Sequence, residues 1–399
     1  MVRARAERGG GEAVSLTDAV RGRLADSGRA ATPAAVAAAV RAEDRVLGDA
    51  DVLALTREVR ADLVGAGPLE PLLRDPDVTD VLVNGPSEVW AERHGELLRT
   101  SVRFPDEQAV RRLAQRLAAA AGRRLDDAAP YVDARLPGGV RLHAVLAPVA
   151  VAGTCLSLRS PRGRAFTLPE LVRAGSVCPE GASLLTAIIT ARAAFLITGG
   201  TGTGKTTLLS SLLGLVPPDE RLLLVEDSAE LRPTHPHVVR LEARPPNVEG
   251  AGGVTLHDLV RQALRMRPDR LVVGEVRGNE VIDLLAALNT GHEGGCGTLH
   301  ANTPRDVPAR LEALGCAAGL TREALHSQLS AALDLVIHLT RHGPARRISE
   351  ISLLTRTPTG YVTATPAAHL TPTAITFTPA APTLFALLSW APKQRTQTT

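Results

Sequence analysis

Lysine is almost absent from this 399-residue chain. Of its 45 basic residues only Lys205 and Lys393 are lysines, so arginine supplies nearly every cation. Aromatic residues make up 2% and the formal net charge is +3. A dedicated nucleic-acid surface wants clustered cations and stacking rings, and neither is present, so no specific nucleic-acid partner is expected. The four cysteines, Cys155, Cys178, Cys296 and Cys316, lack metal-ligand spacing and read as reduced structural thiols. No apolar run is long and unbroken enough to span a bilayer. The start, Met1 to Gly11, is rich in Arg and Gly with no apolar segment behind it, so no leader is expected. These absences predict a protein of the cell interior.

What is present centres on Gly199-Gly200-Thr201-Gly202-Thr203-Gly204-Lys205-Thr206-Thr207. The stretch fits G-x-x-x-x-G-K-[ST], follows the apolar run Ala194 to Thr198, and leads into a segment able to be helical. In that strand, loop, helix context the glycines let backbone N–H groups turn inward on phosphates, and the helix aims its positive end at the same charge. Lys205 is expected to reach the β and γ phosphates and the Thr206 hydroxyl to ligate Mg²⁺. A compact ammonium suits a point contact that a forked guanidinium does not.

Residues 1–60 read as a helical or partly disordered arm, with one short helix carrying Leu16, Val20 and Leu24, another starting at Thr32-Pro33, and a third over 52–63. Residues 61–160 read as a small α+β domain. Its strands are expected at 78–83, 88–93, 96–104, 140–145 and 154–159, with a helix over 106–121. A linker is expected over 161–170. From 171 to 355 strands and helices alternate as in a parallel α/β domain, with strands at 195–198, 222–226, 271–274, 297–300, 335–339 and 348–354. The Thr/Ala/Pro tract over 356–399 reads as a low-complexity tail whose one apolar island is Leu384 to Trp390.

A phosphate loop implies binding; hydrolysis also needs a group that orients or deprotonates water. Two candidates stand at the carboxyl ends of predicted strands: Glu226-Asp227, with Glu230 close behind, and Glu275. Each taken alone is also compatible with an ordinary surface acid. His292, Cys296 and His300 raise the question of zinc, but their spacing and intervening glycines fit no usual ligand set. A glycine-rich segment ending in a strand, with a histidine aimed at the nucleotide, accounts for them better.

Four segments in order carry a resemblance. They are Gly199 to Thr207, Val225 to Leu231, Leu264 to Gly278, and Asn289 to Asn302. They are similar to the Walker A motif, aspartate box, Walker B motif and histidine box of the type II/type IV secretion ATPase superfamily. Gly67 to Leu73 and Val78 to Pro86 resemble the branch that drives tight-adherence pilus assembly, the CpaF type. The resemblance implies a RecA-like P-loop domain beside a smaller amino-terminal domain, assembled as a hexamer. Turnover of ATP with Mg²⁺ would move the domains against an inner-membrane platform protein, from a cytoplasmic position at the membrane.

Carried onto this chain, the resemblance makes Glu275 the catalytic carboxylate and His300 the γ-phosphate sensor, with Glu226 and Asp227 near the metal. Gly274 stands where many P-loop proteins have aspartate, which shifts weight onto Glu226 and Asp227. Arg141 and Arg159 would close over the phosphates, an arrangement that makes turnover depend on closure. Arg240, Arg244 and Arg277 are weaker candidates for contacts between subunits. A nucleic-acid translocase or conjugation motor, and a non-hydrolysing nucleotide scaffold, are the competing readings.

Overall fold

The computed structural model describes residues 16–27, 32–42, 52–53, 56–57, 59–61, 65–160, 165–246, 250–343 and 345–389. The chain divides into two compact units, residues 1–162 and 163–399.

In the first unit, helices Leu16–Ser27 and Pro33–Arg41 bury Val20, Leu24, Val36 and Val40 together. Thr32 caps the second by accepting from the Ala35 N–H at 3.2 Å. The helix expected over 52–63 lies only partly among the described residues. Six strands follow: β1 (Val78–Asn84), β2 (Val89–Arg93), β3 (Glu96–Arg99), β4 (Tyr131–Arg135), β5 (Arg141–Val145) and β6 (Cys155–Arg159). They form an antiparallel sheet in the order β3-β2-β1-β6-β5-β4. The helix Glu107–Ala120 is capped by Asp106 and buries Val110, Leu113 and Leu117 in this unit's core. Sequence reading missed β4. Its alternation reaches only Val132 as a buried large residue, and Tyr131 at its start is exposed.

The second unit carries a nine-stranded sheet. Its strands are β7 (Phe195–Thr198), β8 (Leu222–Glu226), β9 (Val238–Glu242), β10 (Arg270–Val273), β11 (Cys296–Leu299), β12 (Leu335–His342), β13 (Ala345–Arg356), β14 (Val362–Leu370) and β15 (Ile375–Phe377), in the order β15-β14-β13-β12-β7-β11-β10-β8-β9. From β12 to β9 every pairing is parallel. Of these strands β7, β8 and β10 read as near-continuous apolar runs because both faces are covered: Phe195 and Ile197 face one core, Leu196 the other. The fold is α/β and RecA-like.

Two expectations are corrected. The linker expected over 161–170 is cut short at its end, where a helix, Leu168–Arg173, starts at a capping box between Thr167 and Glu170; residues 161–164 lie outside the described ones. The tail expected from 356 is largely structured. β14 and β15 extend the sheet by antiparallel pairing, and the helix Ala381–Leu388 buries Leu384 and Leu388 in the core. Trp390 lies outside the described residues.

Candidate active site

Parallel pairing brings the carboxyl ends of β7, β8, β10 and β11 to one edge of the sheet, so the four sequence segments meet there. β7 runs into the glycine loop, and Gly204 caps the helix Lys205–Leu213 with φ of 94°, a left-handed conformation that favours glycine. Thr203 Oγ1 donates to the Gly200 carbonyl at 2.9 Å, bracing the loop. Lys205 is buried, and its Nζ donates to the carbonyls of Gly199 at 2.9 Å and Gly200 at 3.0 Å. Burial lowers the affinity of this ammonium for its proton, with Glu275 opposing the effect. Thr206 and Thr207 sit half-buried in the helix's first turn.

Beyond Lys205 the charges form a connected row. His300 places Nε2 3.3 Å and Nδ1 3.5 Å from Lys205 Nζ. The same Nε2 lies 2.7 Å from Glu275 Oε1. Glu275 Oε2 accepts a hydrogen bond from Arg277, whose other terminal nitrogen stands 3.6 Å from Asp227 Oδ2. Lys205, His300, Glu275, Arg277 and Asp227 therefore link all four segments. Burial, then the Lys205 charge, push the His300 ring below its ordinary value.

Glu226 is buried at 3% exposure, and its Oε1 accepts the N–H groups of Glu230 and Leu231, each at 2.9 Å. Its Oε2 is buried without a hydrogen-bond partner. The glycine at 274 now has a reason: a methyl built there would stand 2.7 Å from Glu226 Cγ. Glu226 fills the space a larger residue would need. Thr298 Oγ1 donates to the Gly274 carbonyl at 2.6 Å, fixing the turn into Glu275 from β11.

Burial pushes the Glu226 carboxyl up to about 7, while the two backbone donors pull the other way. A folded chain that keeps a proton the unfolded chain has released from about pH 4.5 upward is most favoured below that window. Stability is lost as pH rises from about 4.5 to about 7. Glu226→Gln removes the titration, so the variant's Tm relative to wild type should climb between pH 5 and pH 8 by roughly a few degrees. Scanning calorimetry at the two pH values checks it, and a constant Tm difference would mean that this carboxyl does not titrate there.

Each of the remaining sequence candidates has its own local setting. Arg141 and Arg159 lie directly opposite each other on β5 and β6, both exposed, in the smaller unit. Arg240 donates to the Leu231 carbonyl at 3.3 Å and Arg244 to the Gly252 carbonyl at 2.8 Å, so both have partners in their own chain. His292 bonds the Ala287 carbonyl at 3.2 Å, and burial pushes the Cys296 thiol up to about 12. Sequence reading placed strands at 335–339 and 348–354 but missed their extension to His342 and from Ala345, which walls the loop: methyls on Gly202 and Gly204 would stand 3.2 Å from Arg341 Nη1 and 3.4 Å from Arg346 Cδ. It also missed the internal role of Arg277, whose one sequence signal is its place two residues after Glu275.

Residues 62–364 match the family described as type II/IV secretion system protein. The chain belongs to that family. With its phosphate loop and the carboxylate beside it, this secretion-family chain is a P-loop ATPase. A putative conjugal transfer protein of Mycobacterium tuberculosis is 60% identical over 316 residues, covering 77% of this chain and 90% of that protein. The conjugal transfer protein TrbB of Rhizobium radiobacter is 31% identical, covering 70% of this chain and 84% of the relative. Among solved structures, the pilus retraction motor PilT with bound ADP superimposes with a TM-score of 0.53 at 22% identity, over 73% of this chain and 83% of PilT. That likeness shows the shared fold of the secretion ATPase. Among the described residues, no helix is long and apolar enough to cross a membrane.

Proposed function

We propose that this chain is the motor subunit of a ring that hydrolyses ATP to drive pilus assembly or secretion. The observation that carries this reading is the charge row from Lys205 through His300 to Glu275, which sets a carboxylate beside the phosphate-binding ammonium. Lys205 turns from the loop carbonyls to the β and γ phosphates. A water gives its proton to Glu275, its oxygen bonds to the γ phosphorus, and the bond to the bridging oxygen breaks to release ADP. His300, held neutral by burial and by Lys205, reports the γ phosphate. Mg²⁺ fits the Thr206 hydroxyl, the phosphates, Asp227 and the unpartnered Oε2 of Glu226; when bound it neutralises charge on the phosphates.

Residues 61–160 and 171–355 would work as two domains moved by turnover. Arg141 and Arg159 belong to a cross-strand row, Asp80, Arg159, Arg141, Arg135, in which three arginines stand side by side. We read this cationic row as suited to a phosphate anion. A homo-oligomer, in our reading a hexamer, would act on an inner-membrane platform protein from the cytoplasmic side. The tight-adherence branch is proposed on Gly67 to Leu73 and Val78 to Pro86.

Phosphate release by the purified chain, measured with and without single-stranded DNA, tests the reading. ATP-dependent release that DNA leaves unchanged is expected. A second reading, a motor for conjugal DNA transfer, is favoured by the names of the relatives from Mycobacterium tuberculosis and Rhizobium radiobacter. Salt-sensitive DNA binding with strong stimulation would select it. No phosphate release at all would leave a nucleotide-dependent scaffold.

A further inference from the structure

We propose that Arg277 is a positioning residue for Glu275 within a single subunit, holding one carboxylate oxygen so that the other faces the attacking water. This rests on the ATPase reading above. Glu275 is 17% exposed at its side chain, and its two oxygens differ. Oε2 accepts from Arg277, whereas Oε1 is buried, accepts no aligned hydrogen bond, and has the His300 ring 2.7 Å away. A buried carboxylate oxygen with unused acceptor capacity is costly unless a donor arrives. Water at the γ phosphate is such a donor once His300 turns to the nucleotide.

Arg277 is itself held from two sides. Its backbone N–H donates to Glu280 Oε1 at 2.5 Å, as does that of Gly278 at 2.7 Å, so the buried Glu280 pins the turn that follows Glu275. Its guanidinium spans Glu275 and Asp227, tying the ends of β10 and β8. The Arg277 side chain is 59% exposed, so its ion pairs contribute little to stability. Its removal should leave the fold intact and act through the orientation of Glu275. This assigns Arg277 to its own subunit's site, where sequence alone suggested a contact between subunits.

The test uses the full chain with ATP, and wild-type phosphate release, measured first, examines the ATPase reading on its own. Arg277→Ala should lower kcat on the order of a hundredfold. Its affinity for ADP, by fluorescence titration, and its Tm should stay at the wild-type values. Arg277→Lys should recover part of kcat, because an ammonium supplies the charge without the fork. Mixing Arg277→Ala with Glu275→Gln subunits separates the two assignments. If Arg277 served the neighbouring subunit's site, mixed assemblies would regain activity; within one subunit they stay inactive. Recovery on mixing, an unchanged kcat in Arg277→Ala, or a parallel loss of ADP affinity and Tm would each overturn the proposal.

Discussion

Lys205→Ala should abolish ATP hydrolysis and weaken nucleotide binding on the order of a hundredfold or more. The side chain is buried, and its ammonium holds two loop carbonyls, those of Gly199 and Gly200. Phosphate oxygens replace those carbonyls when nucleotide enters. Charge-assisted hydrogen bonds contribute about 1.5–3 kcal/mol each, and two of them correspond to about two decades or more in affinity. Lys205→Arg should fail nearly as badly despite its charge, since the planar fork is bulkier than the ammonium it replaces and position 205 is buried. That comparison matters in a chain that uses arginine at almost every other basic position. Fluorescence titration with ADP and a phosphate-release assay check both variants; ADP affinity retained in Lys205→Ala would remove the lysine from phosphate binding.

The parts of this site that were legible in the sequence are those fixed by local chemistry. A glycine loop after an apolar strand announces itself, and acids at strand ends follow from apolar runs that stop at a charge, as Leu222 to Glu226 does. The strands of the parallel sheet were legible because burial on both faces leaves no polar alternation to confuse them. β9 was not, since only half-buried and exposed positions occur along Val238–Glu242. β14 hid behind composition: of its five buried positions three, Ala364, Ala367 and Ala368, are small, and Pro366 sits inside the strand. The proline is tolerated where the β13–β14 register shifts between Ile351 and Ser352, at a bulge that relaxes the ladder. The charge row was illegible for a different reason. Lys205 and His300 are 95 positions apart, and nothing local in either segment specifies that they touch. Gly274 shows the same limit, since its need for space comes from Glu226 on the neighbouring strand.

Glu275→Gln should separate binding from chemistry more sharply than any other change. Glutamine keeps the size of the side chain and an acceptor oxygen, so the loop, Lys205 and the helix end remain as they are for ATP. What it loses is the ability to take a proton, and positioned general bases contribute typically about 10²–10⁴-fold. It also loses the negative charge that now stands 2.7 Å from the His300 ring and in direct contact with the Arg277 guanidinium. With the carboxylate gone, Arg277 keeps Asp227 at 3.6 Å, and the balance of charge around the phosphates becomes more positive. ATP affinity is therefore expected to hold or rise while kcat falls by roughly a thousandfold. Single-turnover phosphate release alongside an ATP titration gives both numbers. A variant that releases phosphate at the wild-type rate would take Glu275 out of the mechanism and leave Glu226, with its orphaned Oε2, as the carboxylate to examine. A variant that instead loses ATP binding would mean that the charge row holds the loop open for nucleotide, a structural duty prior to any catalytic one.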